Sequence, residues 1–456
     1  MDPGLGKTKV VIDYLTELSH HEPQVWAVIA PGVVLPEWEK QLARYGNEWA
    51  EVMHLRSLGA TVRDIAGGLS GWLDASEPDN GNPLLLLTNY EMYQSSAKYN
   101  SRWTSGRALA ELLNPMVDGV ILDESHLVKS HSGTRSKNVR RLTAGKPTVC
   151  LTGTVAPHDL TDLWAQFEAI SPSVWQEDTY GRWARENVIF GGFEGRVPVG
   201  FRTKTIHERI EPWTFSAKKA DCLDLPPLVE QPLHLPLETE ERRAYTQMRD
   251  DLFALIEDEP VFTANSLTKW LNLRQITSGF ITKEDEHGQR ATIPFPASAK
   301  RRAVGDLLEG AAESGRKAVV YCQFRHDVDA ALGAVPAGMV AFRHDGRVPM
   351  EDRLRVREEF TQHEGAAVIV CQTQTASLGI NEFVASDYCI FYSLPTSRAD
   401  WQQAIDRLHR QGQEGESVLV RYLLGQHTID ELILEAHRNR VAVEESLRRA
   451  IKEGTI

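Results

Sequence analysis

Short runs of β-branched residues and leucine alternate along this chain with longer stretches whose apolar positions recur every three or four residues. In the first third the runs are Val25–Ala30, Leu84–Leu87, Gly119–Leu122 and Thr148–Leu151, each followed by polar or turn residues. Apolar runs of this length predict strands buried on both faces, as in a parallel sheet covered by helices. A second set, Ala318–Cys322, Met339–Phe342, Ala367–Cys371, Asp387–Tyr392 and Ser417–Leu423, has the same character. Two α/β lobes are implied. Between the sets, from about Ser171 to Ser298, the periodicity is helical; Tyr245, Met248, Leu252, Leu255 and Ile256 fall on one helix face, which reads as packing without chemistry. Thr428–Ile451 is again helical and charged and predicts a C-terminal brace. The expected domains are 1–170, a helical insertion 171–297, a second lobe 298–427 and the brace 428–456. No fixed-period repeat is visible, and whether the two lobes are a diverged duplication stays open.

Composition narrows the class. At roughly 100–200 residues per domain, 456 residues predict two to four domains with at least two cores. With 42% hydrophobic and 25% charged residues the chain is of ordinary globular type. Its 50 Lys+Arg against 63 Asp+Glu give −13, which excludes a binder that holds nucleic acid by bulk positive charge but not one with a local basic cleft. The five cysteines (Cys150, Cys222, Cys322, Cys371, Cys389) are scattered, four beside strand-like runs, and form no CxxC pair. Buried free thiols in a reducing cytosol are expected, and a zinc ribbon is not. No apolar run approaches the roughly 18 residues of a membrane span, and no charged-then-apolar leader opens the chain.

The chemistry starts at the first residues. Gly4-Leu5-Gly6-Lys7-Thr8 precedes the amphipathic segment Val10–Leu18, the pattern of a phosphate-binding loop ending in a helix. Glycines let N–H groups turn onto phosphates, the lysine reaches the β/γ oxygens, and the threonine hydroxyl can ligate Mg²⁺. Alone, this is also the pattern of a plain glycine-rich turn. Gly119–Leu122 then delivers Asp123-Glu124-Ser125-His126 to a strand end, where open α/β sheets bind ligands. Asp123 is placed to hold Mg²⁺ and Glu124 to orient or deprotonate water. A charged turn would look the same in isolation; the order after Gly-Lys-Thr favours catalysis. Leu151-Thr152-Gly153-Thr154 puts hydroxyls at another strand end, and Gln403–Gln413 spaces Arg407 and Arg410 by three, expected on one helix face. That face is either a solvated basic one or a pair of guanidiniums for a γ-phosphate.

In this order the motifs resemble the Snf-type (Swi/Snf-related) DNA translocases of helicase superfamily two, over almost the whole chain. The resemblance includes Ala30-Pro31-Gly32 through Leu35-Pro36-Glu37-Trp38, Leu87-Thr88-Asn89-Tyr90-Glu91, the Leu273-Arg274-Gln275 signature of the helical insertion, and Tyr321-Cys322-Gln323-Phe324. It continues through Asp345-Gly346 with Arg353 and Phe360, Ala376–Asn381, and Gln403–Gln413. What it implies is two RecA-like parallel-sheet lobes with a helical insertion, ATP between the lobes and DNA across both. Gly4, Gly6, Lys7, Thr8, Gly379 and Gln403 would bind ATP, and Thr8 and Asp123 would hold Mg²⁺. Asp123, Glu124, Arg407 and Arg410 would be catalytic, while His126, Thr152 and Thr154 would couple the site to DNA. Pro31, Gly32, Thr88, Asn89, Arg343, His344, Thr373 and Gln374 would grip the DNA backbone without reading sequence.

The implied activity is an ATP-dependent translocase on double-stranded or branched DNA, in repair, recombination or restriction-like processes. A strand-separating helicase and a truncated, non-hydrolysing DNA-binding module are the alternatives. Departures from the family pattern matter. No strand or glutamine motif precedes the phosphate loop, so an N-terminally truncated chain is expected. Leu394–Trp401 replaces the usual Trp-Asn-Pro, and no chromatin-reading addition is visible, which points to the compact bacterial or viral kind. The expected compartment is the cytoplasm of a bacterium or of a virus-infected host. No protein partner is legible.

Overall fold

The computed structural model describes residues 1–2, 4–19, 24–45, 51–59, 61–75, 84–94, 106–153, 155–156, 159–176, 179–191, 197–258, 264–284, 290–376, 382–439, 441, 443 and 446. It divides into two units, Met1–Leu223 and Asp224–Ile456. The first is built on five parallel strands, β1 (Val25–Ala30), β2 (Val52–His54), β3 (Leu84–Asn89), β4 (Gly119–Asp123) and β5 (Thr148–Leu151). Their order is β2-β3-β1-β4-β5, so the chain moves to one side of β1 and then crosses to the other. That reversal falls between β1 and β4, the place where sheets of this kind open a crevice at their carboxyl ends. The apolar runs are inside: β3 and β4 are buried throughout, and β1 at all but its first residue.

Close packing at the sheet's centre depends on one glycine. Gly119 lies opposite Trp26 in the β1–β4 register, and a Cβ there would meet the indole carbons at 2.4 Å. Trp26 is itself fully buried, so the ring has no free space to yield. Gly119→Ala is expected to destabilise this unit by about 1–3 kcal/mol through overpacking. Urea unfolding checks it; an unchanged midpoint would show that the ring moves freely.

After the first sheet come β6 (Val188–Gly191) and β7 (Val197–Phe201), an antiparallel pair. The second unit holds β8 (Leu228–Leu235), an antiparallel pair β9 (Phe280–Glu284) and β10 (Arg290–Pro294), and then β11 (Lys317–Cys322), β12 (Val340–His344), β13 (Ala367–Gln372), β14 (Tyr388–Phe391) and β15 (Val418–Gly425). Its main sheet runs β12-β13-β11-β14-β15-β8, parallel throughout. Without β8, this is the same order as the first sheet. Alternate residues face opposite cores: Val319, Tyr321, Ile369, Cys371 and Phe391 on one side, Val320, Cys322, Val368, Val370 and Ile390 on the other. The two parallel α/β lobes expected from the apolar runs are therefore present.

The middle of the chain differs from its helical reading. Among the described residues, five strands lie within 171–297, and β8 is an edge strand of the second sheet. It pairs only with β15 and half-exposes its residues, with Pro232 opposite Tyr422, a placement that proline tolerates at an edge. Polar and apolar residues mixed with a proline hide such a strand from periodicity. The packing helix is Thr239–Asp258, with Tyr245 and Leu252 buried and Met248 against them; the side chains of Leu255 and Ile256 lie outside the described residues. In the stretch expected as a brace, the helix among the described residues is Ile429–Asn439. Cys322, Cys371 and Cys389 are buried thiols as expected, but Cys150 is half-buried and Cys222 exposed. Among the described residues, no helix is long and apolar enough to cross a membrane.

Candidate active site

In the first unit the carboxyl ends of neighbouring strands collect the predicted residues in one row. Ala30 pairs with Asn89, Ile29 with Leu122, and Asp123 with Leu151, so Pro31, Asn89, Asp123 and Thr152 leave the sheet side by side. Gly32 lies against Asn89: a Cβ on it would come 3.4 Å from Asn89 Nδ2. The helix Lys7–Ser19 starts at the loop whose Gly4 and Gly6 have φ of 85° and 74°, the left-handed region that favours glycine. Its first internal bond runs from Val10 N–H to Gly6 O at 3.0 Å, and the Leu5 N–H of the preceding turn bonds to Asp2 O at 3.4 Å. Lys7 Nζ donates to the carbonyls of Met1 (3.1 Å) and Asp2 (3.2 Å), and Thr8 is half-buried in the first turn.

Asp123 is held from three sides. Trp38 Nε1 donates to its Oδ2 at 2.8 Å, the Glu124 N–H to its Oδ1 at 3.0 Å, and Tyr90 Oη to its carbonyl at 2.8 Å. Burial first and the Glu124 carboxylate second push its pKa up; the Trp38 bond and the charge of Lys7 oppose them. Two adjacent carboxylates with a lysine close by form a site that gains from a cation. Among the described residues no group of three or more His, Cys, Asp or Glu side chains could hold a metal ion alone. The Asp123 carboxylate beside the Gly-Lys-Thr loop is a donor set that fits Mg²⁺, which is bound by one or two carboxylates together with substrate phosphates.

Glu124 adopts φ 53°, ψ 51°, a left-handed conformation that costs a non-glycine residue about 1–2 kcal/mol. Such strain persists where surrounding contacts over-determine it, as at functional sites. Glu124 Oε2 lies 3.2 Å from His126 Nδ1, which is also 3.2 Å from Thr152 Oγ1. The structure thus brings Glu124, His126 and Thr152 into one chain of contacts. Thr154 lies outside the described residues. In the sequence Trp38 and Tyr90 stand out only as parts of motifs; their polar atoms on Asp123 assign them to the site. A buried aromatic with a donor near an acidic strand end is the signal that could have found them.

The second unit presents its residues differently. Arg407 and Arg410 do not share a helix face. The helix Arg398–Asp406 stops before them, with Arg407 as its C-cap and its N–H shared between the carbonyls of Gln403 (3.1 Å) and Ala404 (3.4 Å). Beyond the helix, Gly412 turns with φ 94° and Gln413 donates to the Leu408 and Ser386 carbonyls. Both arginines are half-buried, and Gln403 is buried one turn before the helix end. Arg343 pairs with Asp329 (2.8 Å) and Asp345 (3.4 Å). His344 is fully buried, its pKa pushed down to about 4 by burial and then by Arg357 and Arg353. Thr373 donates to the Cys322 carbonyl from a buried position, whereas Gln374 is exposed. Gly379 lies outside the described residues.

A phosphate-loop helix and an acidic strand end on one edge of a parallel sheet, followed by a second sheet of the same order, define an ATPase core of helicase architecture. The comparisons give the family. Residues 1–279 match the model of the SNF2-related domain and residues 299–412 that of the helicase conserved C-terminal domain, and the chain belongs to the SNF2-related family. A phage protein, the putative protein p41 of Acyrthosiphon pisum secondary endosymbiont phage 1, is 23% identical over 98% of this chain and 93% of its own length. An uncharacterized ATP-dependent helicase of Mycoplasma pneumoniae is 23% identical over 96% of this chain, which spans 38% of that relative. The human SWI/SNF-related matrix-associated actin-dependent regulator of chromatin subfamily A member 1 is 25% identical over 95% of this chain and 39% of its own. The solved Sulfolobus solfataricus SWI2/SNF2 ATPase core in complex with dsDNA aligns over 98% of this chain and 87% of that one, at 19% identity and a TM-score of 0.37.

Proposed function

We propose that this chain is a DNA-dependent ATPase that converts ATP hydrolysis into movement on, or remodelling of, double-stranded DNA. The observation that carries the reading is the convergence of Lys7, Asp123 and Glu124 beside the loop helix, with Trp38 fixing the first carboxylate. In this reading the loop amides and Lys7 take the phosphates, and Thr8 and Asp123 take the Mg²⁺ that neutralises them. Glu124 accepts a proton from the attacking water. Gly379 and Gln403 touch the nucleotide, and Arg407 and Arg410 neutralise charge on the γ-phosphate. His126, Thr152 and Thr154 relay the state of that phosphate to the DNA-gripping segments.

The DNA contacts are proposed at Pro31–Gly32, Thr88–Asn89, Arg343–His344 and Thr373–Gln374. Thr88, His344 and Thr373 are buried, so at these positions main-chain groups rather than side chains would meet phosphates. Such contacts carry no sequence code, which a motor running over arbitrary sequence requires. The net charge of −13 supplies no bulk attraction for DNA, so the contacts in each unit must be local. Neutralised phosphates release counterions, so DNA stimulation of hydrolysis should weaken steeply between about 50 and about 300 mM salt. Equal stimulation at both concentrations contradicts backbone gripping. Translocation is tested against strand separation by displacement of a third strand from a triplex, run beside unwinding of a forked duplex; unwinding without displacement overturns the translocase assignment.

A further inference from the structure

The segment that leaves β14 and enters the Arg398–Asp406 helix is tied by hydrogen bonds to other helices of the second unit. Tyr392 Oη donates to the Ser278 carbonyl at 3.4 Å, and Ser393 Oγ donates to Asp327 Oδ2 at 2.5 Å. The carbonyls that follow are caught in turn: Arg274 Nη2 donates to Leu394 O at 2.9 Å and His437 Nε2 to Pro395 O at 2.6 Å. Arg398 Nε then bonds back to the carbonyl of His437 at 3.0 Å, and Ser397 Oγ caps the helix on Asp400 N–H at 3.3 Å. The Trp401 ring stacks on that of His437, 5.3 Å between centroids and 16° between planes. At the far end of the helix, Tyr321 Oη donates to Ala404 O at 3.0 Å, one turn before Arg407.

The helices supplying these donors are fixed to one another as well. Asp430, at the start of the Ile429–Asn439 helix that carries His437, accepts from Thr277 Oγ1 (3.0 Å) at the end of the Ala264–Thr277 helix that carries Arg274. Lys300, itself buried, pairs with the same carboxylate at 2.7 Å. A buried ion pair adds little net stability, but separating its partners would leave an uncompensated buried charge. The imidazole of His437 is neutral here: burial depresses its pKa, and the Nε2 that meets a carbonyl must carry the hydrogen.

We propose that Arg274 and His437 are positioning residues, which hold the 392–398 segment and, through the capped helix after it, fix where Arg407 sits. The inference rests on the role of Arg407 given above. It assigns work to the Arg274 of the Leu-Arg-Gln signature and to a histidine in the terminal helix that no motif marks. Neither touches substrate; each acts through a main-chain carbonyl. A displacement of about 1 Å in a reacting group is enough to cost on the order of a hundredfold in rate, so loose anchoring here is felt at the distant arginine.

The test is ATP turnover of the full chain with duplex DNA for wild type, Arg407→Lys, His437→Phe, His437→Gln and Arg274→Ala. Phenylalanine keeps the ring stacked on Trp401 and loses only the donor, whereas glutamine restores a donor near the Nε2 position. The expected result is a fall in kcat of about tenfold or more for His437→Phe and Arg274→Ala with KM for ATP unchanged, and recovery of most of the rate in His437→Gln. On the Arg407→Lys background, His437→Phe should add no further loss, because both act through one guanidinium. Arg274→Lys replaces Arg274→Ala if the latter does not fold. Full activity of His437→Phe in a chain that Arg407→Lys disables overturns the positioning inference alone, as does a further loss that multiplies on that background. Normal turnover in Arg407→Lys removes the role of Arg407, and this inference falls with it.

Discussion

Glu124→Gln is expected to lower DNA-stimulated ATP turnover by about 10²–10⁴-fold, the usual contribution of a general base, while nucleotide still binds. The substitution keeps the size of the side chain and its left-handed backbone, but removes the group that can accept a proton. It also removes the second carboxylate beside Asp123, whose charge is one of the two causes that raise the Asp123 pKa. Nucleotide affinity should therefore hold or rise while turnover collapses. Steady-state hydrolysis alongside equilibrium binding of a labelled nucleotide separates the two effects. Retained turnover removes Glu124 as the catalytic carboxylate.

Arg407→Ala is the second large effect. A guanidinium supplied to the transferring phosphoryl group is worth about 10³–10⁵ in rate, and lysine does not replace its planar fork. Arg407→Ala and Arg410→Ala should each reduce stimulated hydrolysis by about a thousandfold or more. The alanine variant keeps the two N–H bonds of Arg407 to Gln403 and Ala404, so the helix end survives the substitution, and its unfolding midpoint is measured beside its rate. A loss of rate without a loss of stability is the signature of a charge presented to substrate. Parallel loss of both would place the side chain in the packing of the second unit instead.

The parts of this fold that sequence revealed are those with one strong local cause. Central strands such as β1, β4 and β11 are continuous apolar runs because both faces are covered, and each was found within a residue or two of its observed ends. The phosphate loop and the acidic strand end were legible because glycine, lysine and carboxylate chemistry each require particular residues at short spacing. What escaped depends on distant partners. Strand β8 is recognisable only once β15 lies beside it, and the Trp38 bond to Asp123 spans 85 residues. The early stop of the Arg398–Asp406 helix was hidden for a similar reason: the arginine spacing suits a continuing helix, while past Arg407 the chain is held by bonds of Gln413 to the distant Ser386 carbonyl and to that of Leu408.

The central claim, that this chain hydrolyses ATP in response to DNA, is met most directly by one measurement: the rate of ATP hydrolysis by the purified chain with and without blunt duplex DNA of unrelated sequences. The account predicts a slow basal rate, stimulation by each duplex to a similar degree, and abolition of both rates by Lys7→Ala. A rate that duplex DNA leaves unchanged, or hydrolysis that persists in Lys7→Ala, would contradict it.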